Sequence, residues 1–417
     1  MAKRDWVKIA AVIALLLVIN RGLMFFTAFL GKNLFCKYIG LPSYREEELW
    51  GKPWPKLVLP ESLRDTSPIT LEDFHKFDSH WYWGIIQRGY DRYRMAEAHP
   101  AANWVFLPLY PLCVKALSAL FPFWDGRLVG IIFSNVCFYL ALVFLCLFIR
   151  EWRQEEGRGG LKALWLLMLY PASLYFSLLY TEGLFLLLSV LAFYCALRGR
   201  YFPALIFASL SSITRIPGFL NIAFMLILML YRERQNLGPR LWARAIIYGF
   251  LAGLPLLAYC FYLKGLTGDF WAVFHEELNW GRTTTFPLST YILYLKDPYF
   301  LSPNGGWDNG PISFVMTTAV FAGYLGEFFR KTKLKKLNGG EAILFAYGLS
   351  FLLLSHATAG SDMTSMVRYM MSSWPVFLYL EDLTRDNLPL EFLYLSLFWG
   401  LNVIYVIAFI NNYFFVV

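Results

Sequence analysis

Charge is scarce in this chain. Of 417 residues, 16% are charged, while 58% are hydrophobic and 19% aromatic. A soluble domain carries roughly a quarter charged residues, so this balance excludes an ordinary water-soluble fold and points to a polytopic membrane protein. Period-two alternation is missing too. The apolar runs are continuous and long enough for helices, which excludes a membrane β-barrel. Cysteine is sparse: Cys36, Cys113, Cys137, Cys146, Cys195 and Cys260 form no C-x-x-C pair, and most lie inside apolar runs. They read as small core hydrophobes, implying neither a disulfide framework nor a metal site. H-E-x-x-H, Walker, dinucleotide and G-x-S-x-G motifs are absent, which removes the common hydrolase and nucleotide-enzyme classes. With no repeat, low-complexity tract or soluble domain, residues 1–417 read as one membrane-embedded unit.

The charge that is present lies in short loops. The net charge is +8, and basic residues cluster at Lys3 to Lys8, Arg150 to Lys162, Arg198 to Arg200, Arg232 to Arg244 and Arg330 to Lys336. Positive-inside topology accounts for this excess, so nucleic acid is not an expected partner. If all five clusters face the cytoplasm, an even number of crossings separates each consecutive pair. The first apolar run, 9–30, ends in bulky residues without a cleavage site and reads as an uncleaved span. Spans then follow at 127–149, 162–178, 183–198, two short arms within 201–231, 242–263, 311–330, 341–355, 368–381 and 389–415. That is about eleven crossings. Segment 104–124 carries Pro108, Pro111 and Pro122 and reads as interfacial or re-entrant. The long external loops, 31–103 and 264–310, are rich in Trp, Tyr and Pro and are expected to fold as caps.

Asp78, His80, Glu182, Arg215, Arg282, His356 and Arg368 all fall on the external side. Ionisable groups at membrane depth are costly and usually face a water-filled cavity or one another, so their collection suggests one extracytoplasmic site. Each has a plainer explanation. Asp78 in Asp-Ser-His before an aromatic run has the form of a helix N-terminus, where it would act as a cap. Glu182 and Arg215 would pair to close their hairpins, and Arg368 would snorkel to headgroups. Arg282 has the look of an ordinary loop residue, and a lone histidine such as His80 is more often a surface residue than a catalytic one. Asp73 and Asp78, five apart, are weak evidence for a divalent ion. Arg21, inside the first apolar run, would snorkel or bind a lipid phosphate.

The stretch Phe77-Asp78-Ser79-His80-Trp81-Tyr82, with Gly89-Tyr90, resembles the first-loop signature of the PIG-V-type mannosyltransferases (GPI mannosyltransferase II and its prokaryotic relatives). Further matches follow in order: Phe106-Leu-Pro-Leu-Tyr-Pro, Tyr170-Pro-Ala-Ser, Tyr180-Thr-Glu182, Thr214-Arg215 with Gly218, Trp280-Gly-Arg282, and Ser365-Met-Val-Arg368-Tyr. Phe77 stands where the family more often has Trp, and Thr181 where it has Ser; neither alters an ionisable group. The chain has no N-x-S/T sequon, which favours a prokaryotic origin.

The resemblance implies an all-α GT-C glycosyltransferase fold. It also implies transfer of a hexose, by default mannose, from a polyprenyl-phosphate donor to a lipid or glycan acceptor on the extracytoplasmic side. The membrane would be the plasma membrane in a prokaryote and the endoplasmic reticulum in a eukaryote. Inverting transfer needs a carboxylate to deprotonate the acceptor hydroxyl, and Asp78 takes that role. Arg215 and Arg368 would stabilise the leaving phosphate, with Arg282 and His80 behind them. Glu182 would orient Arg215 or bind sugar hydroxyls, and Trp81, Tyr82 and Trp83 would hold the sugar or the isoprenoid chain. No redox or nucleotide cofactor is expected, since the activated lipid is itself the donor, and no residue is assigned as a metal ligand. The rival class is a transporter or flippase of lipid-linked sugars, which would spread ionisable residues through the bilayer at broken helices of repeated halves.

Overall fold

The computed structural model describes residues 3–35, 62–154, 160–298, 310–357, 363 and 365–413. Cys36 and parts of both long external loops lie outside the described residues. Within them, regular structure is helical throughout, without a strand. A chain this apolar must satisfy its backbone groups internally, and helices do so within one segment.

The first apolar run forms α1 (Lys3–Leu34). Two short helices, α2 (Leu71–Phe74) and α3 (Asp78–Arg88), occupy the first long loop, and α4 (Leu109–Leu120) follows it. At 12 residues α4 spans about 18 Å, too short to cross a bilayer alone. Then come α5 (Gly126–Arg153), α6 (Leu161–Leu169), α7 (Glu182–Leu197), α8 (Tyr201–Ser212) and α9 (Phe219–Arg232). The long α10 (Pro239–Thr267) leads into α11 (Ala272–Asn279) and α12 (Ser289–Lys296) of the second loop. The chain continues through α13 (Gly310–Lys333), α14 (Gly339–Ala357), α15 (Met366–Met370), α16 (Pro375–Thr384) and α17 (Leu388–Ile410).

Among the described residues six helices are long and apolar enough to cross a membrane: α1, α5, α10, α13, α14 and α17. The other five expected crossings fall on shorter or broken segments. Residues 162–178 divide into α6 and a 3-10 turn, Pro171–Ser177, which meets α7 at a 94° bend. Pro171 has no N–H to continue the α6 ladder, which explains the break. Helices α7, α8, α9 and α16 have 16, 12, 14 and 10 residues. At ~1.5 Å per residue each falls short of a ~30 Å hydrocarbon core. Most of α7 and α16 is buried within the protein. Backbone that ends at such depth is tolerated only where protein or a cavity surrounds it.

Opposite ends of the bundle differ in character. At the end bearing the basic loops, Arg153 pairs with Glu381 and Asp382, both at 2.7 Å, tying α5 to α16. Lys331 reaches Glu341 at 3.2 Å and Asp382 at 2.9 Å, adding α13 and α14. At the other end the two long loops are stitched together. Glu276 in α11 accepts from the Ala102 backbone at 2.6 Å, and Trp280 Nε1 donates to the Ala102 carbonyl at 2.9 Å. Tyr90 donates to Phe106 O at 2.7 Å and Tyr259 to Trp104 O at 2.7 Å.

Candidate active site

Helix α3 starts at Asp78, immediately after Phe77, whose φ of 53° places a bulky residue in the left-handed region. Ser365, three residues before Arg368, has φ 62°. Such conformations cost of order 1–3 kcal/mol and persist where the surroundings fix them, frequently at functional sites. The cap role for Asp78 is not what the structure shows. No side chain caps α3; the Asp78 carboxylate Oδ2 accepts from Arg368 Nη1 at 2.5 Å.

Arg368 is 3% exposed and does not snorkel. Its Nε donates to Glu182 Oε1 at 2.6 Å, and the same oxygen accepts from Arg215 Nη1 at 2.5 Å. Asp78, Arg368, Glu182 and Arg215 therefore form one chain of ion pairs drawn from four distant segments. Glu182 is 3% exposed and opens α7, where the helix N-terminus favours a carboxylate. The Arg368 guanidinium lies over Tyr175 and Tyr180, 4.6 and 4.8 Å from their ring centres. Tyr170 donates to Val367 O at 2.8 Å, fixing the backbone next to Arg368. The Tyr170-Pro-Ala-Ser and Tyr180-Thr-Glu motifs thus build the seat of that arginine.

Two glycines let the backbone come close enough for this arrangement. A Cβ on Gly183 would lie 2.7 Å from the Ser134 carbonyl oxygen, and one on Gly218 would lie 2.2 Å from that of Ser211. Gly183 follows Glu182, and Gly218 donates to Arg215 O at 2.8 Å. Each glycine thereby sets where its charged neighbour stands.

A cavity of about 280 Å³ opens beside the ion pairs, and Asp78, Arg215, Arg282 and Arg368 all line it with Tyr82. Arg282 pairs with Glu277 at 3.4 Å, and Arg215 and Arg282 flank the Tyr369 ring at 5.8 and 5.4 Å. Burial pushes the Glu277 carboxyl above its ordinary value, with Arg282 pulling the other way. Three guanidinium groups and two carboxylates, Asp78 and Glu277, thus line the space, with Glu182 buried behind Arg215 and Arg368, and an anion entering it would meet donors without first having to neutralise a net negative site.

The remaining expected residues sit elsewhere. His80 is exposed and its ring meets His75 at 4.2 Å, away from the cavity lining. Trp81 stacks on Phe106 at 5.9 Å and meets Trp280 edge-on at 4.9 Å, in the aromatic wall behind the cavity. His356 is buried against Thr317 at 3.1 Å, a packing role. Asp73 and Asp78 do not share an ion: Asp73 accepts from Lys32 at 2.7 Å and from the Thr70 backbone at 2.7 Å, closing the start of α2. Glu277, Tyr369 and Thr214 also line the cavity and were not anticipated. Glu277 carries no sequence signal, because only the fold of the second loop turns it inward beside Arg282.

The sequence model of the mannosyltransferase (PIG-V) family matches residues 14–295, from within α1 into α12. The chain belongs to that family. No curated protein and no solved structure matches it. Membership in the PIG-V mannosyltransferases makes this a membrane glycosyltransferase, with a sugar donor and an acceptor as its substrates. It also selects the transferase class over the transporter. The matched region contains Asp78, Glu182, Arg215 and Arg282, whereas Arg368 lies beyond it.

Proposed function

We propose that this mannosyltransferase takes mannose from a polyprenyl-phosphate carrier and transfers it, with inversion, to a lipid or glycan hydroxyl on the extracytoplasmic side. The observation that carries this reading is the convergence of Arg215, Arg282, Arg368 and Asp78 on one cavity. A lipid phosphate suits three guanidinium groups better than a neutral sugar does. Arg368 holds Asp78. A donor phosphate competes for Arg368 and Arg215, which releases the Asp78 carboxylate toward the acceptor. Asp78 then takes the acceptor proton as that oxygen bonds to the anomeric carbon. The bond from that carbon to the phosphate oxygen breaks, and the bond's electron pair leaves on the polyprenyl phosphate, where the arginines stabilise it. Glu182 positions both arginines, and Tyr82, Trp81 and Trp83 hold sugar or isoprenoid; His80, away from the cavity lining, is given no role.

The GT-C architecture belongs to the same reading. The five short segments serve as the remaining crossings of an eleven-crossing bundle, in one domain whose loops 31–103 and 264–310 cap the site. The deciding experiment follows mannose leaving a labelled mannosyl polyprenyl phosphate with purified protein and a membrane-lipid acceptor extract. Asp78→Asn is expected to lower kcat about 10²–10⁴-fold with little change in melting temperature. Full activity in that variant would sink the base assignment, and a donor that is never consumed by the wild type would sink the carrier.

A further inference from the structure

Arg21 has no part in the cavity, yet it sits inside the apolar α1. Its Nη1 donates to Asn20 Oδ1 at 2.8 Å and its Nε to Asn135 Oδ1 at 3.1 Å. Its Nη2 is buried without a hydrogen-bond partner. Among the described residues no carboxylate pairs with it, although Lys32, farther along the same helix, has Asp73 and Arg127 has Asp125 and Glu72. A cation at membrane depth without a counter-charge is expensive, and an unsatisfied buried donor adds to that cost.

The space in front of it is a second cavity of about 430 Å³ that shares no lining residue with the first. Arg21, Asn135 and Ser177 supply its polar side. Ser177 is 4% exposed and its hydroxyl also lacks a partner. Phe25, Ile132 and Val136 form an apolar wall and are themselves exposed on the bundle surface, where a bilayer would meet them. Two unpartnered donors are therefore buried in residues that line a groove whose wall is lipid-like.

We infer that this groove is a binding site for an anionic glycerophospholipid. Its phosphate lies on Arg21 Nη2 and the Ser177 hydroxyl, and an acyl chain runs along Phe25, Ile132 and Val136. A guanidinium steadied by two asparagines offers phosphate a fixed donor pair, and the bound lipid supplies the missing counter-charge. A dissolved anion would have to leave water for an apolar groove, whereas a lipid brings its own chain. The carrier phosphate is not the occupant, because the first cavity already provides three guanidinium groups for it.

The test reconstitutes the full chain in phosphatidylcholine nanodiscs with limiting phosphatidylglycerol and counts retained lipid by native mass spectrometry. Wild type is expected to retain one phosphatidylglycerol in preference to phosphatidylcholine. Arg21→Gln is expected to weaken that retention about tenfold, the effect of losing one charge-assisted hydrogen bond. Should Arg21→Gln fail to elute as a monodisperse protein, Arg21→Lys and Ser177→Ala carry the same test. Arg21→Lys then keeps the anionic preference with weaker retention, and Ser177→Ala loses part of it. Equal retention by wild type and variants, or no preference over phosphatidylcholine, would overturn the inference. So would displacement of the lipid by inorganic phosphate, or its replacement by polyprenyl phosphate at equal concentration.

Discussion

Arg368 serves two carboxylates through different nitrogens, Asp78 through Nη1 and Glu182 through Nε. A lysine has no such fork, so Arg368→Lys is not a conservative change here. Arg368→Ala removes more, because Glu182 stays buried with only Arg215 to pair it. Losing one partner of a buried pair costs about 3–5 kcal/mol, so a clear fall in melting temperature is expected alongside lost transfer; an unchanged melt would show the pairs are not structural. His75 provides a second test at this scale. Burial lowers it from 6.5 to about 4, with His80 and Arg127 adding to the effect and Glu72 and Asp125 opposing it. The fold therefore favours neutral His75: its contribution to stability is complete above pH 6.5 and is lost as pH falls toward 4. His75→Gln should flatten the decline in melting temperature across that window, and an unaltered slope would remove His75 as its cause. Individual charges such as Asp78, Arg215 and Arg368 were legible in sequence because the membrane makes them costly. Their partners were only partly so, since Glu277 looks like any loop acid until α11 folds against the first loop.

Packing of helices decides where those charges stand. Gly183 lets α7 lie against the Ser134 carbonyl of α5, with Glu182 as the adjacent residue. A Cβ at 2.7 Å from backbone oxygen has no flexible neighbour to displace, so α7 itself must shift. Gly183→Ala is expected to destabilise by about 1–3 kcal/mol and to reduce transfer with it, by moving Glu182 from both arginines. Normal activity and stability would show that α5 and α7 tolerate the separation. The long helices were readable from hydropathy because their apolar length exceeds the bilayer. That the others are short or broken was not legible, because hydropathy measures apolar length along the chain and is blind to a break such as Pro171 or to the 94° bend before α7. Those breaks place helix ends, and hence Glu182, inside the protein.

Across the whole molecule, polar chemistry divides between two ends. Arg153, Lys331 and Asp382 brace the end with the basic loops, while the cavity lies under the two joined long loops. If the basic end faces the cytoplasm, single cysteines in a cysteine-free background should report opposite sides. One at Ala98 should react with an impermeant maleimide in intact cells or right-side-out vesicles. One at Asn236 should react only after permeabilisation. The reverse pattern would invert the protein and move catalysis to the cytoplasmic face.

The contact between Asp78 and Arg368 also bears on timing. If Asp78 is the base, as proposed, it is idle until something else claims that guanidinium, and the phosphate of the proposed donor is the natural claimant. Arrival of the carrier would then arm the enzyme, and its departure would disarm it. An acceptor arriving first would find no free base. Steady-state kinetics should accordingly show compulsory order, with the sugar-bearing lipid binding first and the spent carrier leaving last.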